Sequence, residues 1–241
     1  MLRKKFFYSV AFLLLFSVLI SSCAKRQDPP IFIPPDVTKK NYPTVIIDAG
    51  HGGEDGGAVG TNGIYEKELN LMIASELRDL LEAKGIPTRL TRTEDILLYD
   101  RNTDYQGRKK ALDMAARLAI AQEYENAIFV SIHMNSFPQE KYSGLQVYYS
   151  ENDACSRSLA ELIQSLTVKN IQPSNTRKIK PSSGNIYLLE KISHPAVLIE
   201  CGFLSNRQEC ALLCSEEYRA RLCMTLCSSI INYFETYGNC S

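Results

Sequence analysis

A surplus of charge of either sign is missing from this chain: its 241 residues carry 27 basic and 27 acidic side chains. Without a global basic field, nucleic acid is disfavoured as a partner. Phosphate-loop signatures are missing as well. Neither GxxxxGK[ST] nor a GxGxxG opening a helix occurs, which argues against a nucleotide site. No internal repeat recurs and no second globular domain separates from the first. The N-terminal apolar run, Phe6 to Ile20, is too short for the ~20 residues of a comfortable transmembrane helix. Histidine is scarce, with three in the whole chain.

What remains is the composition of a globular protein. A hydrophobic content of 45% with 22% charged residues can bury a sizeable core, and the length suits one domain plus an N-terminal appendage. The appendage begins with Arg3-Lys4-Lys5 ahead of the apolar run, the shape of an export signal. It stops at Ile20-Ser21-Ser22-Cys23, a lipobox-like sequence whose cysteine would be diacylated; an uncleaved signal anchor is the alternative. Either places the domain outside the cytoplasm, on the outer face of the cytoplasmic membrane. Residues 24–43 hold five of the ten prolines and read as an extended, semi-rigid tether. The expected organisation is therefore 1–23 signal peptide or membrane anchor, 24–43 tether and 44–241 a globular domain.

Seven further cysteines follow Cys23, at 155, 201, 210, 214, 223, 227 and 240. An odd number leaves at least one thiol unpaired. Cys210/Cys214 and Cys223/Cys227 are each spaced i, i+4 among leucines, which fits small apolar core residues better than a metal cluster. Reduced thiols are the expectation.

From Thr44 onward, strand-like and helix-like stretches alternate. Strands are expected at 44–48, 87–91, 127–132, 144–149 and 196–200, with a short one at 186–189. Helices are expected at 67–84, 107–124, 153–170 and 216–235, the first closed by Gly85 as a C-cap ahead of Pro87. This order predicts an α/β fold: a single open, mostly parallel or mixed sheet of about six strands flanked by helices on both faces.

Three of the apolar runs end in a residue that can bind a metal or move a proton. Val45-Ile46-Ile47-Asp48-Ala49-Gly50 leads to His51, Ile128-Phe129-Val130-Ser131-Ile132 to His133, and Ala196-Val197-Leu198-Ile199 to Glu200. Open α/β sheets assemble their sites at the carboxyl ends of strands. His51 opens a stretch with five glycines between Gly52 and Gly60, able to wrap closely around a ligand. Glu66, just ahead of the first helix, is on its own no more than a carboxylate favoured by the helix dipole, and Glu68 shares that ambiguity. His194 precedes Pro195 in a loop and is assigned no role.

The motifs DAGHGGEDGGAVG (48–60), YEKEL (65–69), SIHMNS (131–136) and IECGFLSN (199–206) resemble, in order and separation, those of the zinc-dependent N-acetylmuramoyl-L-alanine amidases. The resemblance covers nearly all of residues 44–235, and Arg92 and Arg117 fall where that family carries arginines. It implies Zn2+ bound by His51, Glu66 and His133, with Glu200 catalytic. Two imidazoles and a carboxylate are a suitable catalytic zinc set, and the apolar approach to Glu200 would raise its pKa. As a single catalytic domain with Tyr105-Gln106-Gly107-Arg108-Lys109-Lys110 before the second helix, the chain is similar to the short germination-specific CwlD type of spore-formers. That likeness implies cleavage of the amide between N-acetylmuramic acid and L-alanine in spore-cortex peptidoglycan, glycan strands and stem peptides as binding partners, a forespore-envelope location and a separate lipoprotein activator. Cys201 and the lipobox-like signal depart from the type. The alternatives are a zinc peptidase acting on the stem peptide and a non-catalytic wall-binding lipoprotein.

Overall fold

The apolar runs pair into one six-stranded sheet whose alternating residues bury both of its faces. The computed structural model describes residues 40–100, 102 and 106–238. The signal or anchor segment, most of the proline-rich tether, Tyr105 of the motif before the second helix, and Cys23 and Cys240 lie outside the described residues. Six strands, β1 (Thr44–Ala49), β2 (Thr88–Leu90), β3 (Ala127–Asn135), β4 (Gln146–Tyr149), β5 (Lys180–Pro181) and β6 (Ala196–Phe203), lie in the order β2-β1-β3-β6-β4-β5. β2, β1, β3 and β6 run parallel, β4 runs antiparallel to β6, and β5 pairs parallel with β4.

Side chains alternate along each strand, so odd and even positions of β1 serve different cores. Val45, Ile47, Ile128, Val130, Val197 and Ile199 pack on one face with α1 (Glu66–Glu82), α3 (Ala154–Asn170) and α6 (Glu216–Tyr237). Ile46, Phe129 and Leu198 pack on the other with Ala121 of α2 (Lys109–Gln122) and with Leu188 and Leu189 of α4 (Tyr187–Lys191). Helix α1 shows why it forms where it does: Leu69, Ile73, Leu77 and Leu81 fall on one buried stripe. Past its last turn, Ile86 N–H reaches Leu81 O at 3.1 Å and Gly85 N–H reaches Glu82 O at 2.9 Å, the paired bonds of a glycine-terminated helix end.

Two expectations are corrected. Residues 186–189 are not a strand; 187–191 form α4, because Leu188, Leu189 and Ile192 reach the second core only at helical spacing. The sixth strand is instead the two-residue edge strand at 180–181, too short for a periodic signal. A further helix, α5 (Arg207–Cys214), is opened by Asn206, whose Oδ1 accepts from the N–H groups of Gln208 and Glu209 at 3.0 Å each. The reduced-thiol expectation holds for Cys201, Cys210, Cys214, Cys223 and Cys227, four of them buried in the first core. It fails at Cys155, which is disulfide-bonded.

Beneath the second face lies a wholly buried ion-pair network. Arg117 Nη1 donates to Asp48 Oδ1 at 2.6 Å and Arg117 Nε to Asp113 Oδ2 at 2.8 Å. Asp48 also accepts from Thr91 Oγ1 at 2.8 Å and from Ser131 Oγ at 2.6 Å. Burial alone would raise the Asp48 pKa, but Arg117 and these hydroxyls hold it below the ordinary aspartate value. The Arg117→Met variant strands two buried carboxylates and is expected to lose about 3–5 kcal/mol in urea denaturation at neutral pH. A carboxyl depressed in the folded state contributes stability above its unfolded pKa and loses it as pH falls. The gap between wild type and variant is therefore expected to narrow below about pH 4; a gap that widens with acidification would contradict the network's role.

Candidate active site

The register of the sheet decides which groups meet. His133 pairs with Glu200, and Glu200 in turn with Gln146. Alternation places His133 and Glu200 on the face that carries Phe129 and Leu198, at the carboxyl end of the strands. A register shift between His133 and Asn135 ends regular pairing just past the histidine, as bulges beside sites do.

His51 arrives from β1. Its φ is 60°, left-handed backbone that a non-glycine residue adopts only when its surroundings impose it. The surroundings here are two buried arginines. Arg92 Nε donates to Ala49 O at 2.9 Å and its Nη2 to Gly50 O at 3.0 Å; Arg117 Nη1 donates to Ala49 O at 2.8 Å and its Nη2 to His51 O at 2.7 Å. Glu66, the first residue of α1, is drawn inward by a reciprocal pairing. Its N–H donates to Ala58 O at 2.8 Å, and its Oε2 accepts from Ala58 N–H at 2.8 Å. Oε1 accepts from Met134 N–H at 3.0 Å. Glu68, one helical step on, is exposed.

The result is a cluster. Glu66 Oε1 lies 3.0 Å from His133 Nδ1 and 3.3 Å from His51 Nε2, the two imidazole rings stand edge to face with centroids 5.0 Å apart, and one ligand atom from each of the three residues falls within 4.8 Å of the others. Among the described residues this is the one group with the makings of a metal site. Burial would raise the Glu66 pKa, but the hydrogen bonds and charges of His133 and His51 hold it well below the glutamate range. Burial would lower His51, but Glu66 and Asp55 raise it. Two glycines make the approach possible. A side chain at Gly50 would collide with the His133 ring, and one at Gly57, φ 67°, would stand 2.6 Å from Glu66 Oε2.

Glu200 differs from Glu66 in every respect that matters. Its Oε2 is buried without a hydrogen-bond partner. Burial pushes its carboxyl up to about 7, with His133 and His51 pulling down and Glu66 pushing up. The setting is open on one side: a cavity of about 570 Å³ is lined by His133, Glu200, Tyr148, Lys180 and Ser182. A second, of about 290 Å³, lies beside His51 and is walled by Met114, Phe129, Ile186 and Leu188. His194, given no role from the sequence, donates from Nε2 to Ala121 O at 3.0 Å, away from the site. Sequence reasoning passed over Asp55, whose Oδ1 lies 2.9 Å from His51 Nδ1; its i, i+4 spacing from His51 was the available signal.

Residues 45–232 match the family described as N-acetylmuramoyl-L-alanine amidase. The germination-specific N-acetylmuramoyl-L-alanine amidase of Bacillus subtilis is 36% identical over 195 residues, covering 81% of each chain. The amidase AmiA of Salmonella typhimurium is 30% identical, covering 81% of this chain and 77% of its own. Among solved structures, the CwlD amidase of Clostridioides difficile, in complex with the GerS lipoprotein, superposes with a TM-score of 0.75 at 38% identity, covering 80% of this chain and 98% of that one.

Replacing Gly50 by alanine is expected to push the His133 ring out of the cluster, at a cost of about 1–3 kcal/mol of stability from overpacking. Imidazole resonances in NMR report the displacement; unshifted His133 signals would show that the close approach carries no constraint.

Proposed function

The chain belongs to the N-acetylmuramoyl-L-alanine amidase family, and from that membership we propose that it is a zinc hydrolase cleaving the amide between N-acetylmuramic acid and L-alanine in peptidoglycan. The observation that carries the reading is the convergence of two imidazoles and one carboxylate within 4.8 Å beside a second acid raised to about 7.

The donor set fits the metal: two histidine nitrogens and one glutamate oxygen are ligands of the kind and number a catalytic zinc ion would take from the protein. His51, Glu66 and His133 would hold Zn2+, which when bound polarises the amide carbonyl and lowers the pKa of water toward ~7. The proton work falls to Glu200. A carboxyl that titrates near neutrality can take a proton from the attacking water and return it to the departing amine. Its unpartnered Oε2 is an acceptor that no protein donor competes for. The C–N bond breaks as water oxygen joins the lactyl carbonyl carbon, leaving a lactyl carboxylate and a free L-alanine amine. The cavities on either side of His133 suit a substrate that extends both ways from its scissile bond.

The germination-specific relative supports spore-cortex peptidoglycan as the target, and the complex formed by the C. difficile neighbour supports a lipoprotein partner. A wall substrate lies outside the cytoplasm, which supports export, with residues 1–23 as signal or anchor, 24–43 as tether and 44–241 as the catalytic domain. No helix among the described residues is long and apolar enough to cross a membrane.

His133→Ala is expected to lose bound zinc in metal analysis, whereas Glu200→Gln is expected to keep zinc and lose roughly 10²–10⁴-fold in rate. Muropeptide mass spectrometry of wild-type digests should show free L-alanine amines and intact stem peptides; shortened stem peptides would assign the site to a peptidase instead.

A further inference from the structure

His51 has two ring nitrogens, and only one of them faces the convergent ligands. Nε2 lies 3.3 Å from Glu66 Oε1. Nδ1 is buried, makes no aligned hydrogen bond, and has Asp55 Oδ1 at 2.9 Å.

Asp55 is not a passing surface acid. Its backbone is pinned by reciprocal bonds with Gly52, N–H to O at 2.9 Å in one direction and 3.0 Å in the other. Its Oδ1 accepts from Gly57 N–H at 3.3 Å, and Lys110 Nζ stands 3.6 Å from its Oδ2. The turn that carries His51 therefore also fixes the carboxylate behind it, four residues on.

An ionised carboxylate accepts and cannot donate. Its approach to Nδ1 is attractive when that nitrogen carries the proton. Glu66 Oε1 faces Nε2 in the same way at 3.3 Å, but a cation gripped between Nε2 and Glu66 needs the Nε2 lone pair, which leaves Asp55 as the acceptor for the ring proton. With the proton on Nε2 instead, two lone pairs would face each other at Asp55 and the Nε2 lone pair would be lost to any cation. We propose that Asp55 is a positioning residue that holds His51 in the Nδ1–H tautomer, so that Nε2 is presented as a ligand. The inference rests on His51 being a zinc ligand; carboxylates behind ligating histidines orient the ring and raise its basicity.

The test uses the full chain in detergent with Zn2+ as the probe. Asp55→Ala is expected to weaken zinc binding by roughly 10–100-fold in chelator competition, with Asp55→Asn, which keeps an acceptor oxygen, recovering part of the loss. The thermal midpoint of the metal-free chain should stay within a few degrees of wild type, which a merely structural role would not allow. In the zinc-loaded wild type, long-range 1H–15N spectra should show His51 protonated at Nδ1, a readout that stands even if Asp55→Ala fails to fold. A zinc affinity unchanged in Asp55→Ala but lost in His51→Ala would overturn this inference and leave the ligand set intact. So would a His51 protonated at Nε2. Zinc retained by His51→Ala would instead overturn the ligand set itself.

Discussion

Two buried guanidinium groups, Arg92 and Arg117, hold the carbonyl oxygens of Ala49, Gly50 and His51, and the site depends on that grip. Strand β1 makes its last ladder bond at Gly50, whose N–H reaches Ile132 O at 3.1 Å. At the ladder's end these backbone carbonyls need donors from elsewhere, a buried carbonyl left without one costing about 1–3 kcal/mol, and Asn70 Nδ2 reaches only that of Gly50, at 3.1 Å. The arginines satisfy them and in doing so set the path of the chain. They also sustain the left-handed backbone of His51, itself a strain of order 1–3 kcal/mol. Two cations this close need counter-charge, which Asp48 and Asp113 supply from beneath. The ion-pair network is thus less a stability device than the foundation on which a histidine is aimed.

Given that foundation, the pleat does the rest. Because side chains alternate, a strand that contributes Ile128 and Val130 to one core contributes Phe129, Ser131 and His133 to the other face. The same rule carries Leu198 to Glu200 on β6. Parallel register puts these two functional side chains abreast, and α1 enters from the carboxyl edge with Glu66 as its first residue. The glycine-rich segment between β1 and α1 completes the set: it carries His51 at one end and grips Glu66 through Ala58 near the other. The one-residue phase of β3 matters accordingly: a slip in its pairing would turn His133 into the opposite core.

The features legible in the sequence are those with a period or a local chemical signature. Strands such as Val45–Ala49 and helices such as α1 announce themselves by alternation or a 3.6-residue stripe, and both histidines and Glu200 stand where such runs end. The two-residue strand at 180–181 has no period to read, and Ile186–Leu189 is apolar enough to fit strand or helix until a core decides. Helix α5 has a local signature in Asn206 and Glu209, a helix-start pair. Glu66 was ambiguous by position alone, since first-turn acids are common; the reciprocal bonds with Ala58 that turn it inward are tertiary. Asp55 leaves a local trace in its i, i+4 spacing from His51, but the spacing gains its meaning only from the 2.9 Å distance to a ring nitrogen.

Glu66 and Glu200 show how one cleft keeps two carboxylates in different states. Glu66 is buried and Glu200 partly so, and burial raises each, yet they part company through what accepts and donates around them. Glu66 collects two backbone N–H groups and two imidazoles, all favouring the anion, and is held ionised. Glu200 has an unpartnered oxygen and feels the negative charge of Glu66 added to its own burial. Groups pushed apart in this way sort into roles: the acid held below the glutamate range is suited to grip a cation, and the one near neutrality to carry a proton. The division follows from hydrogen-bond supply, which the sheet and α1 distribute unequally. Exchanging the two residue types would preserve composition and destroy the arrangement, because neither position offers the other's surroundings.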